Sequence, residues 1–426
     1  MTADVRRDLT GTAESSPPGP WARPSRWLVI MLVMSVVTWR TQTTYSGGVD
    51  AVVAAKALLG LLTLALAWAA RVSTRTPQPM GNAVVWIVLV YVAVSTFGAW
   101  TDGGLRVSGV VSVRLLIVAL TVVMLVKSFP RAQLLDDLLA SLGAVALVAA
   151  FTGLPSLWAT GRLGGGLPQM HSNELSLLCA LPVIGLLHRV ILRRAAPGHV
   201  AMLAMLSAAM VATGSRTAVL TVLVAGAVML LQARRLGRGL VVTLALAIPL
   251  GALVAMRTDA VTSFIAREGA DEGDIATLNS RSIVWGASVD YADTVWTRWM
   301  GSGLAVKQIP VLGQYWDTQN LDSSWVSALV QAGLIGVGLL GVWVALTVLN
   351  SFSLAHEPRM LVHGLLAAIL LRSVLESGLV DSSPAFLTFF LVSLFAYPAT
   401  GSRTGPPLRP STSAPPPPSA PSTSPG

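Results

Sequence analysis

The chain has little of what builds a soluble catalytic domain. Cys179 is the single cysteine among 426 residues, which excludes an intrachain disulfide and a cysteine-based metal cluster. The five histidines, at 171, 188, 199, 356 and 363, show no metal-ligand spacing. Charge is scarce: 12% of residues are Asp, Glu, Lys or Arg, about half the usual ~25%. Lysine is nearly missing, with Lys56, Lys127 and Lys307 alone. Acidic residues are almost absent from the middle of the apolar runs. That counts against a proton-coupled transporter, whose relay needs carboxylates or histidines spread through the membrane depth. A phosphate-binding loop is missing too: "GRLGGG" (Gly161 to Gly166) lacks the lysine of one, and its glycines predict a flexible loop. "DEGD" (Asp271 to Asp274) reads as a solvated acidic loop or a divalent-cation site. Neither a metal nor a cofactor is expected.

Apolar sequence is what the chain has in quantity. Hydrophobic residues make up 53% and mean hydropathy is +0.68. Repeated runs approach the ~20 residues that cross a bilayer as helix. Spans are expected at about 26–39, 51–70, 83–100, 108–126, 136–158, 173–191, 199–214, 216–233, 239–256, 325–349, 360–378 and 384–398. The expected fold is all-α, a polytopic bundle of about twelve spans, because lipid leaves backbone groups only helices or closed barrels. Residues 1–25 read as a cytoplasmic tail and the first apolar run as an anchor, not a cleaved signal. Residues 26–398 form the bundle, with 257–324 as one large extracytoplasmic loop. Residues 399–426, ending "TSAPPPPSAPSTSPG", are Pro/Ser-rich and read as disordered.

Net charge is +9. A basic balance can signal nucleic acid; here its distribution points to topology instead. With the N-terminus cytoplasmic, seventeen basic residues, among them Arg71, Lys127, Arg131, Arg189, Arg194, Arg234 and Arg359, fall on the inner side. The short outer loops keep Arg40, Arg106 and Arg162, with Arg216 at an outer turn. This is the positive-inside pattern, and it predicts a multi-pass protein of the cytoplasmic (inner) membrane. In the long loop, Trp285, Trp296 and Trp299 with Tyr291 predict a helix lying at the outer interface.

The ionisable residues within spans then share one depth. Lys56, Arg114, Glu174, Arg216, Arg372 and Glu376 all fall towards the outer side, and the loop adds Arg257, Arg267, Arg281, Arg298 and Lys307. Each has a bland reading. Lys56 and Arg114 could snorkel to the surface. Arg372 and Glu376 are spaced i,i+4 and could pair on one helix. Arg216 stands in "ATGSRTAVL" (Ala212 to Leu220), where Gly214 supplies the bend but the bend needs no arginine. Cations gathered at one depth suit an anionic, amphipathic ligand, since the guanidinium fork matches phosphate.

Five segments carry a resemblance. "GLPQMHSNELSLLCALP" (Gly166 to Pro182), "TGSRTAVL" (Thr213 to Leu220), "NSRSIVWGASVDY" (Asn279 to Tyr291), "GSGL" (Gly301 to Leu304) and "LDSSWVSALVQAGLIGVGLL" (Leu321 to Leu340) occur in that order. Together, over roughly residues 160–395, the chain resembles the O-antigen ligase and polymerase superfamily. The resemblance implies a fold related to the GT-C class of membrane glycosyltransferases. It implies a polyprenyl-diphosphate-linked glycan donor and a glycan or lipid acceptor, with no nucleotide sugar and no required metal. Carried over, Arg216 and Arg281 would hold the donor diphosphate. Asp322 would stand where many ligases have a histidine proposed to activate the acceptor hydroxyl. A carboxylate can take that proton; Asp322 could instead cap the following helix. His171, Asn173 and Glu174 would line the sugar site, with Ser172 and Asn173 equally readable as a cap. Ser215 would cap its helix or touch the phosphate. Arg298, Arg372, Glu376, Arg114 and Lys56 complete the candidate substrate-binding set. Membrane lipids and polysaccharide-assembly proteins are the expected partners, and nucleic acid is not. The rival readings are a transporter or flippase of lipid-linked glycan, which would form no covalent product, and a sensor or scaffold, which would need an output domain.

Overall fold

Apolar runs of this length must satisfy their own backbone groups, and they do so as helices. A computed structural model describes residues 23–40, 50–75, 78, 80–233, 281–292, 294–311 and 318–397. Its helices are α1 (Pro24–Val36), α2 (Ala51–Ser73), α3 (Ala83–Thr101), α4 (Leu105–Ser128), α5 (Arg131–Thr160), α6 (Ser172–Ile191), α7 (Pro197–Ala212), α8 (Arg216–Gln232), α9 (Arg281–Asp290), α10 (Val295–Met300), α11 (Ser324–Ser351), α12 (His356–Leu375) and α13 (Pro384–Ala396). Seven of these are long and apolar enough to cross a membrane: α2 to α6, α11 and α12. Four more, α1, α7, α8 and α13, are shorter apolar helices. The protein is thus mostly helical and multi-pass. The expected span at 239–256, the "DEGD" loop, Arg257, Arg267 and the Pro/Ser-rich tail lie outside the described residues.

The core follows from burial. Among the seven helices long enough to cross a membrane, α6 is the most enclosed, with fourteen of its twenty residues buried. It packs on α5, α7, α8 and α12. Helix α13 closes the other side with Phe386, Phe389 and Phe390, all buried. The Trp343 ring of α11 lies 4.6 Å from that of Phe389, and its indole N–H is bonded to Ser393.

Helix α11 is broken. Gly333 has φ 64 and ψ −162 in mid-helix, a conformation open to glycine at little cost. The break frees carbonyls of the preceding turn, and the segment after α10 satisfies them. Ser302 N donates to Val330 O at 2.8 Å and Gly303 N to Gln331 O at 3.0 Å. Ser95 Oγ adds a bond to Gln331 O at 2.7 Å. A Cβ on Gly301 would fall inside the backbone of Gln331 and Ala332. The Gly-x-Gly of "GSGL" therefore seats one stretch of backbone in the gap of another.

Two expectations are revised. The tryptophan-rich segment is two short helices, α9 and α10, not one, and β1 (Gln308–Pro310) and β2 (Thr318–Asn320) follow as an antiparallel pair. The glycine-rich stretch at 161–166 is not a loose loop. It folds back on α5, where Gly166 N donates to Ala149 O at 2.9 Å and a Cβ on Gly166 would meet the Thr152 backbone.

Candidate active site at one end of the bundle

The end of α1 and the starts of α2, α4 and α6 meet at one end of the bundle. Lys56 Nζ donates to Val37 O at 2.7 Å and Arg114 Nη2 to Ser35 O at 3.0 Å. Both cations thus serve the C-terminal carbonyls of α1, where the helix dipole favours positive charge. Glu174, in the first turn of α6, accepts Thr38 N at 2.8 Å and the Thr38 hydroxyl. Lys56 and Arg114 lie within the field of Glu174, and Arg114 also within that of Asp381. Asp381 itself pairs with Lys307. Snorkelling to the surface does not describe Lys56 and Arg114; their charge is spent inside the protein.

The end of α12 joins the same cluster. Arg372 and Glu376 are not an ion pair on one helix, because α12 stops at Leu375 and Glu376 is extended (φ −145, ψ 145). Arg372 Nη2 donates to Asn173 O at 3.2 Å. The Glu376 carboxylate accepts Asn173 Nδ2 at 3.3 Å and lies 3.6 Å from Arg281 Nη2. Asn173 Oδ1 faces Arg162 Nη2 at 3.5 Å, and Arg162 Nε donates to Thr213 O at 3.0 Å. That last bond ties in the α7–α8 turn. There Gly214 is left-handed at φ 66, and the half-buried Arg216 is the first residue of α8.

Asp322 stands just before α11, within the fields of Glu376 and Arg281. Burial and the nearby Glu376 carboxylate push its carboxyl up to about 6, with Arg281 opposing them. It does not cap α11: the N-cap is Ser323, and no side chain bonds there. Ser323 and Ser324 instead fasten α11 to the end of α12, Ser323 Oγ donating to Ser373 O at 3.4 Å and Ser324 Oγ to Glu376 O at 3.0 Å. Ser215 is the N-cap residue of α8 but makes no side-chain cap bond. His171 is the N-cap of α6, its Nδ1 accepting Asn173 N at 3.3 Å. That assigns the cap to His171, not to Ser172 or Asn173.

The sequence-predicted residues Lys56, Arg114, Asn173, Glu174, Arg281, Asp322, Arg372 and Glu376 are therefore gathered in one charged cluster. Arg216 and Ser215 reach it through Arg162. Arg298 does not join by any contact among the described residues. It borders a cavity of about 220 Å³ with Ser288, Tyr291, Thr297, Leu329 and Leu334. Arg162 and Thr38 were not singled out as functional, since their partners lie far along the chain. The signal was present for Arg162, one of the few basic residues assigned to the outer side.

Part of this charged corner lies in a stretch that has a counterpart among known families. Residues 201–341 match the O-antigen ligase family. The match takes in Arg216, Arg281 and Asp322 and supports the wider O-antigen ligase and polymerase superfamily; Asn173, Arg372 and Glu376 fall outside it. Over this stretch, about a third of the chain, the protein is similar to O-antigen ligases. No curated protein matches the chain.

Proposed function

We propose that the protein transfers glycan from a polyprenyl-diphosphate carrier to a hydroxyl acceptor, at the outer face of the cytoplasmic membrane. The carrying observation is the corner where Asp322, Arg281 and Glu376 meet, tied through Asn173 and Arg162 to the turn that starts α8 at Arg216. Arg216 and Arg281 neutralise the diphosphate as charge builds on it during glycosidic cleavage. Preorganised charge of this kind supplies about 3 kcal/mol per donor group. Asp322 takes the proton of the attacking hydroxyl. With its carboxyl raised to about 6, it is ionised at neutral pH yet basic enough to accept a proton, the balance general-base catalysis favours. Asn173 and Glu174 border the sugar and His171 fixes their helix. No metal step is needed in this scheme.

The outward orientation rests on basic residues at the opposite end. There Arg189 pairs with Asp136 and Arg194 with Glu357, and Arg71, Lys127 and Arg131 fall at the same end of their helices, the cytoplasmic side by the positive-inside pattern. Because an aspartate stands at the position where many ligases carry histidine, a repeat-unit polymerase for a capsule, exopolysaccharide or O-antigen-like polymer is favoured over attachment to a new lipid. The test is purified protein in vesicles with a lipid-diphosphate oligosaccharide. Release of free lipid diphosphate with growth in glycan chain length supports the reading. Translocation with no covalent product establishes a flippase instead.

A further inference from the structure

Arg372 is the most deeply placed cation of the cluster. Only 7% of its surface is exposed, yet its Nε and Nη1 have no hydrogen-bond partner among the described residues. Among the described residues its one hydrogen bond runs from Nη2 to Asn173 O. Leaving buried charged donors unmet costs more than an ordinary hydrogen bond contributes, so a folded protein keeps such a group where something else is to meet it. Arg281 is under-coordinated as well. Its contact with Glu376 is 3.6 Å, beyond hydrogen-bond length, and its guanidinium makes no shorter contact among the described residues. The two guanidiniums lie within each other's field, and Glu376 within the fields of both. Like charges are held together, with the Glu376 carboxylate shared loosely between them and Glu174 also within the field of Arg372.

We propose that Arg281 and Arg372 form a two-guanidinium site for one phosphoryl group, with Glu376 as its exchangeable counter-ion. A phosphoryl group brings acceptor oxygens that the Arg372 nitrogens lack, and guanidinium–phosphate contacts are stronger than neutral ones. As the phosphoryl group enters, Glu376 gives up Arg281 and keeps Asn173. The class of ligand is a lipid diphosphate, so the inference rests on the donor assigned above, but it adds Arg372 and Glu376, which lie outside the matched family segment.

The test is binding of farnesyl diphosphate, and separately of inorganic pyrophosphate, to the full-length detergent-solubilised protein. Arg372→Lys keeps the charge and loses the forked donors; its affinity for both probes falls at least tenfold, while Arg194→Ala at the opposite end leaves it unchanged. Glu376→Gln removes the competitor, and both probes bind at least threefold more tightly. Equal affinity of Arg372→Lys and the native protein overturns the proposal. Should Arg372→Lys fail to fold, Glu376→Gln decides: tighter binding supports the proposal, and unchanged or weaker binding overturns it. Binding and turnover fail separately. Arg372-dependent diphosphate binding without glycan transfer retains this site and removes the transferase reading. Transfer with Arg372→Lys at native affinity does the reverse.

Discussion

Asp322 and Glu376 are two carboxylates within one another's field, at the point where α11 begins and α12 has just ended. The like charge makes it harder to ionise Asp322. Its carboxyl is protonated below about 6 and charged above it. As a base it must be charged, so activity is expected to rise with pH through about 6 and level off above. In Glu376→Gln the rising limb moves to lower pH, because one cause of the upward shift is gone. A pH–rate profile of lipid diphosphate release checks both statements.

Asp322→Asn removes the proposed base but keeps the shape. Transfer is expected to fall by about 10²–10⁴, and the limb near pH 6 should vanish. A structural role alone would lower the melting temperature instead, so the two readouts separate.

Arg281→Ala and Arg216→Ala each remove charge from the proposed donor site. Each is expected to lower transfer by about 10²–10³, with little change in melting temperature. Full chain growth by both purified variants would remove the arginines from the mechanism.

Gly333→Ala is expected to destabilise the fold. Gly333 is left-handed, and a Cβ there would fall inside the backbone of Trp299 and Met300. Strain and overlap together cost on the order of 3 kcal/mol, read as a drop in melting temperature.

Asp137→Asn tests a buried pair at the opposite end. Asp137 has a fully buried side chain and accepts Ser25 Oγ at 2.5 Å and Arg26 Nε at 3.1 Å. Removing one partner of such a pair costs about 3–5 kcal/mol, since the other charge is left buried. The variant should melt earlier while its folded fraction keeps native turnover per molecule.

Hydropathy and the sidedness of charge carried much of this into view from the sequence. Eleven of the twelve expected spans fall on the apolar helices α1 to α8 and α11 to α13, and the turn before Arg216 has the glycine geometry its sequence implies. Both depend on local pattern, and bilayer physics makes that pattern strong. Partners were not legible. Nothing near Arg372 in sequence points to the carbonyl of Asn173, 199 residues away. Nothing near Lys56 points to the end of α1. The i,i+4 spacing of Arg372 and Glu376 misleads, because the helix stops between them. The break at Gly333 was hidden for a related reason: in a span rich in glycine, no local feature marks which one departs from the helix.

That break also divides labour mechanically. The turns from Ser324 to Gln331 form a short lever, separated by Gly333 from the longer part of α11. The lever is bolted to the backbone of Ser302 and Gly303, and so to the segment that follows Arg281. A bolt made of two peptide groups does not slip by one residue without leaving carbonyls bare. Any movement of this segment therefore carries Asp322 with it, so the proposed base and the stretch after Arg281 travel as one piece.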